Sequence, residues 1–233
     1  MISIIGGGPA GSHLAYLLAK NNHEVQVYEE HKIIGNPIQC SGVITPALDQ
    51  VLKIRKEIIV NKINKFRFYS PNGKFFEVKI KPDYVFDRGK LDRYIASLAI
   101  EEGVKFITKK FLGFERKENK IKMRFNDGFS ETEILVGADG PYSQVAKSAG
   151  LFNDRKFITG MQARAKIKYH EKDTTDIFLG YGEFGWLIPE DEYTARIGIV
   201  SEKNPTEEFN ALMKRCNAEF IGYQSGMIPL HNP

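Results

Sequence analysis

The sequence predicts a mixed α/β protein in which a parallel sheet is followed by an antiparallel, β-rich region. The first observation behind this prediction is the order strand, glycine turn, helix and strand over residues 2–28, which is the order of a βαβ unit. The second is a helical repeat of apolar residues formed by Leu91, Tyr94, Ile95, Leu98 and Ala99. The third is a change to alternating apolar and polar residues after about residue 155, which favours an antiparallel sheet.

The composition excludes several classes of protein. The chain has 233 residues, 42% of them apolar and 27% charged, so disordered, collagen-like and low-complexity sequences are excluded. The net charge of +4 is spread too evenly to indicate nucleic-acid binding. Cys40 and Cys216 are 176 positions apart and have no metal-binding spacing, which favours a reducing compartment without disulfides or structural zinc. The sequence shows neither a signal peptide nor a membrane-spanning run, and we expect a cytoplasmic protein.

The individual elements follow the chain in a simple order. Ile2–Ile5 is predicted as a buried strand, Ser12–Lys20 as a helix and Glu24–Tyr28 as a second strand. A hairpin is expected around the turn Ser70–Gly73, and a helix between the N-cap Asp87 and Gly103. The remaining predictions are a strand at 104–108, a hairpin over 112–126, a strand at 134–138 with a short helix after it, strands at 157–168, 175–181, 184–189 and 193–200, and a helix near 205–216. These elements suggest a first domain over residues 1–154, with a β insertion at about 60–82, and a second region over 155–233.

The glycine turn after the first strand has the pattern of a dinucleotide-binding motif. Gly6, Gly8 and Gly11 satisfy G-x-G-x-x-G, with Pro9 and Ala10 between the last two glycines. In such a turn the first glycine permits a tight bend, the second lets the backbone approach a pyrophosphate, and the third allows close packing of helix and strand. Glu29, 18 residues beyond Gly11, is placed to accept hydrogen bonds from a ribose, and we include its neighbour Glu30 in the candidate site. The motif predicts a Rossmann-like domain that binds either FAD or NAD.

A second motif favours FAD. Residues 135–143, with the sequence LVGADGPYS, resemble the second fingerprint of the p-hydroxybenzoate-hydroxylase-like FAD proteins. The resemblance implies that Asp139 and Gly140 lie near the ribityl and pyrophosphate part of FAD. The alternative from the residues alone is a strand that ends in an Asp-Gly turn, followed by a helix capped at Ser143.

A third motif narrows the family further. The loop of residues 35–42, GNPIQCSG, resembles the G-x-P-x-x-C-[SG]-G segment of the geranylgeranyl reductase family. In that family the cysteine loop lies beside the flavin at the substrate cavity, which implies that Cys40, Ser41 and Gly42 contact the cofactor. Cys40 is therefore the candidate catalytic residue, as a group that orients flavin or substrate rather than as a proton donor. The alternative is that Cys40 is a small buried apolar residue.

Two further segments match this family less closely. Residues 180–189 resemble its Y-x-W-x-F-P motif, which lines the tunnel for the prenyl chain, so that Tyr181, Trp186 and Pro189 become candidate substrate contacts. Extra residues separate Tyr181 from Trp186, and Ile188 stands where phenylalanine is usual. The segment from Asp87 resembles the family's D-R-x-x-[LF]-D, which implies that Arg88 or Arg93 reaches the cofactor, and Arg93 is the preferred candidate. A solvated helix face with paired arginines is the alternative.

The resemblance implies an FAD-dependent oxidoreductase that reduces carbon–carbon double bonds of geranylgeranyl chains in isoprenoid lipids. It implies a Rossmann-like FAD-binding domain, a β-rich substrate region, a prenylated lipid as substrate, and ferredoxin or a nicotinamide nucleotide as electron donor. Peripheral contact with a membrane surface is compatible with such a substrate, whereas no nucleic-acid partner is expected. The alternatives are an FAD-dependent monooxygenase, a plain NAD-binding module and a fragment without activity. The last is considered because the family's closing flavin motif contains Gly-Asp and this chain has no such dipeptide.

Overall fold

The computed structural model describes residues 1–230 and divides into two compact units. The first unit comprises residues 1–36 and 89–155, and the second comprises residues 37–88 together with the described residues from 156 onward. The strands in chain order are β1 (Ile2–Ile5), β2 (Val25–Glu29), β3 (Val43–Ile44), β4 (Ile59–Tyr69), β5 (Phe75–Phe86), β6 (Lys105–Thr108), β7 (Phe111–Lys117), β8 (Lys120–Phe125), β9 (Gly128–Thr132), β10 (Ile134–Gly137), β11 (Phe157–Lys166), β12 (Thr174–Phe178), β13 (Phe184–Pro189), β14 (Thr194–Ser201) and β15 (Glu219–Pro229). The helices are α1 (Pro9–Lys20), α2 (Arg88–Glu101), α3 (Gln144–Ser148) and α4 (Pro205–Arg215).

The first unit is built on a parallel sheet with the strand order β10-β1-β2-β6. Alternation along β1 directs Ile4 to one face, where it joins Ala15 of α1 and Ala99 of α2 in a core cluster. Ile5 points to the other face and packs with Phe111 and the neighbouring residues of the antiparallel sheet β7-β8-β9. The parallel sheet is thus covered on both faces, as its almost wholly apolar strands require.

The second unit is an eight-stranded sheet with the order β15-β11-β14-β13-β12-β4-β5-β3. All neighbouring strands in it run antiparallel except β12 and β4, which are parallel. One face of this sheet, the helix face, packs Ile197 and Ile199 against Phe209 and Leu212 of α4. Burial of each such side chain contributes about 1.5 to 3 kcal/mol to stability. The opposite face, which carries Trp186, is called the loop face below.

Most of the predicted elements are confirmed, and the α/β class with them. The helix expected from Ser12 begins earlier, at Pro9, because proline is favoured in the first turn of a helix. Strand β9 was not predicted, since its short polar sequence gives no apolar alternation of its own. It forms by pairing with β8.

The two compact units are divided differently from the predicted boundary at residue 154. The hairpin β4–β5 belongs with the later strands, because Lys65–Tyr69 of β4 pairs in register with Thr174–Phe178 of β12. The predicted insertion at about 60–82 is therefore an integral part of the eight-stranded sheet. Main-chain pairing between distant segments of sequence leaves no local signal, which is why composition and periodicity place the boundary elsewhere.

Candidate functional site

The three motif glycines have different surroundings in the turn between β1 and α1. A Cβ at Gly6, where φ is +106°, would lie 2.2 Å from the carbonyl oxygen of Ala138, and a Cβ at Gly11 would lie 2.0 Å from that of Gly6. A Cβ at Gly8 would meet no atom within 4 Å. Gly6 and Gly11 are thus required by internal packing, whereas the space beside Gly8 is open for a ligand.

The N-terminus of α1 suits a negatively charged ligand. Gly8 is its N-cap, Pro9 is the first helical residue, and Pro9 and Ala10 are exposed. By helix geometry the amide groups of Ala10 and Gly11 have no acceptor within the helix, and the helix dipole adds a partial positive charge. No acidic residue stands in the first turn. These features match a pyrophosphate-binding turn.

Glu29 lies at the carboxyl end of β2, beside the turn. Its Oε2 accepts a hydrogen bond of 2.7 Å from the amide of Gly7, and its Oε1 accepts bonds from the amide of His31 at 2.9 Å and from Nδ1 of His31 at 2.6 Å. The carboxylate is therefore held against the glycine turn from both sides. Because each carboxylate oxygen has two lone pairs, Glu29 retains capacity to accept ribose hydroxyls. His31 belongs to no sequence motif, so the sequence alone gives no indication of this contact.

Asp139 stands at the carboxyl end of β10, next to β1 in the parallel sheet. Its Oδ1 accepts a 2.5 Å hydrogen bond from the hydroxyl of Ser143, and its Oδ2 accepts a 3.0 Å bond from the amide of Val145. Ser143 in turn accepts a bond from the amide of Ala146 and caps α3. The structure therefore shows Asp139 holding the start of α3, while Gly140, with φ of +78°, turns the chain at the exposed edge.

Arg93 and Glu30 lie at the surface of the first unit. The Nη1 of Arg93 donates a long 3.4 Å hydrogen bond to the carbonyl of Ile34, at the base of the loop that leads to Cys40. Glu30 forms an exposed ion pair of 3.1 Å with Lys110. Arg93 thus contacts Ile34, the residue that precedes the loop, while Glu30 forms only an exposed ion pair, which contributes little to stability.

In the second unit the Cys40 loop is anchored by an arginine that sequence reasoning missed. Arg196 of β14 is 6% exposed, and its Nη1 donates to the carbonyl oxygens of Ser41 at 2.6 Å and Phe86 at 2.9 Å. Its Nε donates to Oε1 of Glu190 at 2.8 Å, so the buried charge is paired. A Cβ at Gly42 would lie 2.2 Å from that same Nη1, which explains the glycine. The only available signal is Arg196 itself, a charged residue within an apolar strand.

The thiol of Cys40 is half-buried and accepts a 3.4 Å contact from the amide of Gly42. The other cysteine, Cys216, behaves differently, because burial raises the pKa of its thiol to about 12. Cys216 therefore stays protonated at neutral pH and has the properties of a packed apolar residue.

The three predicted substrate residues lie on opposite faces of the eight-stranded sheet. Trp186 is on the loop face, where it covers Gly198, whose Cβ would lie 2.4 Å from the indole ring. Pro189 is fully buried on the helix face, and Tyr181 packs there against Phe178 and Arg215. The period of two along β13 separates Trp186 from Pro189.

The same alternation identifies a residue that was missed. Phe184, Trp186 and Ile188 share the loop face, with 5.8 Å between the ring centres of Phe184 and Trp186. Phe184-x-Trp186-x-Ile188-Pro189 has the spacing of the predicted motif without extra residues, so Phe184 is a further candidate beside Tyr181. This spacing can be read directly from the sequence.

Two glutamine side chains on neighbouring strands continue a hydrogen-bond chain that begins at Trp186. Nε1 of Trp186 donates to Oε1 of Gln162 at 2.9 Å, and Nε2 of Gln162 donates to Gln224 at 2.5 Å. The chain of hydrogen bonds fixes the plane of the indole on the loop face. Glutamines in strands carry no motif, and these two were also missed.

No helix within residues 1–230 is long and apolar enough to cross a membrane. The same residues contain no group of three or more histidine, cysteine, aspartate or glutamate side chains arranged to hold a metal ion.

The chain resembles known proteins in sequence and in structure. Residues 4–40 match the NAD(P)-binding Rossmann-like domain family. All of the chain aligns, at 27% identity, with digeranylgeranylglycerophospholipid reductase 2 of Methanothermobacter thermautotrophicus, and covers 66% of that protein, slightly less than two thirds.

Solved structures share the fold. A geranylgeranyl bacteriochlorophyll reductase-like protein from Thermoplasma acidophilum matches 98% of this chain and 66% of its own, with a TM-score of 0.87 and 24% identity. A mutant of the halogenase PltM in complex with FAD matches with a TM-score of 0.75 over 98% of this chain and 59% of its own, at 14% identity. The sequence-based resemblance is thus confirmed, since the chain is similar along its whole length to a digeranylgeranylglycerophospholipid reductase.

Proposed function

We propose that this chain is an FAD-dependent oxidoreductase that reduces carbon–carbon double bonds of geranylgeranyl chains in isoprenoid lipids. The observation that carries the proposal is the alignment of the whole chain with a digeranylgeranylglycerophospholipid reductase. Reduced FAD, when bound, supplies a hydride to one alkene carbon, and a proton is delivered to the other.

The glycine turn fits the pyrophosphate of FAD. The open space beside Gly8, the free amides of Ala10 and Gly11 and the absence of acidic residues in the first turn of α1 all favour a bound anion. Glu29, held by Gly7 and His31, is aimed by that contact and would accept hydrogen bonds from the adenosine ribose. The proposed cofactor contacts of the first unit are Gly6, Gly8, Pro9, Ala10, Gly11, Glu29, Glu30, Arg93, Asp139 and Gly140.

In the second unit we assign Cys40, Ser41 and Gly42 as flavin contacts. The apolar residues of β13 on the loop face are assigned as substrate contacts. An isolated alkene develops no oxyanion, so hydrogen-bond donors have little charge to stabilise, and catalysis depends on alignment in a dry environment. Phe184, Trp186 and Ile188 provide an apolar surface for a prenyl chain, and Arg196 holds the Cys40 loop at its place on this face. Cys40 orients flavin or substrate and carries no proton-transfer role.

Three further assignments belong to the same proposal. The substrate is a prenylated lipid, the electrons come from ferredoxin or a nicotinamide nucleotide, and the protein works in the cytoplasm, peripheral to the membrane. An electron donor is required because the flavin must be reduced again after every turnover, and peripheral contact with a membrane would give access to a lipid substrate.

The test begins with FAD titration of the purified 233-residue chain, followed by visible absorbance, with NAD as the competing nucleotide. The reduced protein is then mixed without oxygen with a digeranylgeranylglycerol phospholipid, and mass spectrometry counts the hydrogens added. Reoxidation of the flavin with saturation of the lipid supports the proposal. Oxygen consumption with hydroxylated product would indicate a monooxygenase instead, and failure to bind FAD would contradict the cofactor assignment.

A matched pair of variants locates the cofactor. Gly8→Asp places a carboxylate where the pyrophosphate would lie, yet aspartate is a favoured N-cap, so α1 should persist. Gly222→Asp on β15 is the control, since its Cβ would also meet no atom within 4 Å. FAD affinity should fall by about a hundredfold or more in the first variant, by charge repulsion in a site of low dielectric, and stay unchanged in the second.

A further inference from the structure

We propose that the tip of the β4–β5 hairpin docks this protein on an anionic lipid bilayer. The inference rests on the proposed function in that the substrate is taken to be a lipid, and it names the element that would meet the bilayer. The docking tip is defined as residues Ser70–Val78, together with Lys79 and Lys81 on the same strand.

The tip presents large apolar side chains to water. Phe75 is 56% exposed and Phe76 is 61% exposed, and both directly follow the turn. As neighbours in a strand they point to opposite faces, so both sides of the tip carry an aromatic ring. Exposed aromatic residues grouped at a protruding turn are costly in water and favourable at the level of lipid headgroups.

These rings are held by the hairpin. The amide of Ser70 donates to the carbonyl of Lys74 at 2.9 Å, and the amide of Gly73 donates to the carbonyl of Ser70 at 2.9 Å. Phe76 stacks on Phe68 with 5.1 Å between ring centres, and Phe75 packs beside Tyr69 at 5.3 Å. The rings are therefore already ordered, and little conformational entropy is lost when they enter a bilayer surface.

The apolar surface continues from the tip across the loop face. The amide of Leu179 donates to the carbonyl of Tyr69 at 3.0 Å, and Leu179 directly follows Phe178, the last residue of β12 that pairs with β13. Leu179 and Phe184 are exposed, and Phe184 contacts Trp186. A lipid tail leaving a bilayer at the tip would thus meet apolar side chains up to the row that we assign to the substrate.

The charge around the tip complements an anionic surface. Residues 62–81 contain six basic residues and one acidic residue, Glu77. Lys65 and Arg67 are paired with Glu77 and Glu171, whereas Lys74, Lys79 and Lys81 are exposed and form no ion pair within residues 1–230. Lysine side chains beside exposed aromatic rings reach headgroup phosphates while the rings insert.

This composition favours a bilayer over a protein partner. Lysine is depleted in protein–protein interfaces relative to the rest of the surface, whereas basic side chains with exposed phenylalanine are typical of elements that lie in a membrane interface. The predominantly basic charge and the aromatic tip therefore favour the lipid surface as occupant.

Vesicle flotation of the full chain tests the proposal, with phosphatidylcholine vesicles compared with vesicles that also contain phosphatidylglycerol. We expect binding to the anionic vesicles that weakens with salt. Phe75→Ser combined with Phe76→Ser should lower the partition coefficient about tenfold or more, because the apolar contribution is lost. Each of Lys74→Gln, Lys79→Gln and Lys81→Gln should lower it about fivefold. The matched controls are Phe129→Ser, at an equally exposed ring (62%) on β9, and Lys117→Gln, which should bind like the unmodified chain.

Flotation with the tip variants equal to that of the unmodified chain would overturn the proposal. So would a chain that binds neither kind of vesicle, which would point to a protein as the occupant of the tip. Thermal unfolding confirms that the variants are folded. FAD titration of the same samples separates the two proposals, since vesicle binding without flavin binding contradicts the proposed function alone, and flavin binding without vesicle binding contradicts docking alone.

Discussion

The glycine turn of the first unit and the Cys40 loop of the second are both short and glycine-rich, yet they are held in different ways. The turn is shaped by neighbours in the parallel sheet: the carbonyl of Ala138 lies against Gly6, and Glu29 accepts the amide of Gly7. The Cys40 loop is held by the side chain of Arg196, which lies 155 positions away from Ser41. The glycine turn therefore depends on contacts within its own parallel sheet, whereas the Cys40 loop depends on a single buried charge.

The largest effect is expected where that buried charge is removed. Arg196→Met leaves the carbonyls of Ser41 and Phe86 without their donor and leaves Glu190 buried with one partner fewer. The free energy of unfolding should fall by about 3 to 5 kcal/mol, measured by urea denaturation. Arg164→Met is the control, because its half-exposed guanidinium pairs with the same Glu190 and should cost about 1 kcal/mol or less. An equal loss of unfolding free energy in the two variants would mean that the contacts of Arg196 with the Cys40 loop contribute no additional stability.

The glycine turn should be sensitive at one glycine and tolerant at another. Gly6→Ala forces a Cβ against the Ala138 carbonyl at a positive φ and should cost about 2 to 4 kcal/mol in thermal or urea unfolding. Gly8→Ala meets no atom and should cost about 1 kcal/mol or less, while FAD affinity drops. If the two variants lost equal stability, Gly8 would serve packing and the ligand interpretation would fail.

The two faces of the eight-stranded sheet should respond differently in catalysis. Phe184→Ala removes an exposed ring from the loop face and should slow lipid reduction about tenfold, because apolar contact with the prenyl chain is lost, while FAD affinity stays unchanged. Phe220→Ala is the control, as an exposed phenylalanine on β15 paired with Ala165 of the helix face. Rates are measured with substrate in detergent, so that bilayer contact plays no part. A greater loss in Tyr181→Phe than in Phe184→Ala would return Tyr181 to the substrate site.

The smallest effect concerns how the two units use carboxylates. Glu29 and Asp139 accept main-chain amides, whereas Glu171 of the second unit bonds to Lys65 and Arg67, which lowers its pKa to about 2. A lowered pKa means that the stabilisation is complete above the ordinary value of about 4.5 and is lost as the pH falls toward 2. Because Glu171 is half-exposed, solvent screens the interaction and the contribution is small. In Glu171→Gln the free energy of unfolding should depend less on pH over this range. The same pH dependence as in the unmodified chain would contradict a stabilising role of Glu171.

The sequence predicted the parts of the fold that depend on near neighbours. The βαβ start, the helix over residues 88–101 and the hairpin at Ser70–Gly73 are confirmed because periodicity and turn residues act within a few positions. Strand β9 and the parallel pairing of β4 with β12 were not predicted, because a strand of neutral pattern is stabilised only by its partner. Among the candidate site residues, Trp186 was predicted from its motif. Only the structure shows that Tyr181 lies on the opposite face of the sheet and that Arg196, Gln162 and Phe184 lie beside the candidate residues.

By itself the sequence determined the α/β class, the glycine turn and the resemblance to geranylgeranyl reductases, since each is carried by residues close together in the chain. Only the tertiary structure decided which strands share a sheet, which side chains share a face, and that a distant arginine holds the Cys40 loop. The physical reason is that strand pairing and buried polar contacts join residues more than a hundred positions apart. Alternation of side chains along a strand predicts two faces. Only packing in the tertiary structure decides which face contacts α4 and which face contacts the Cys40 loop.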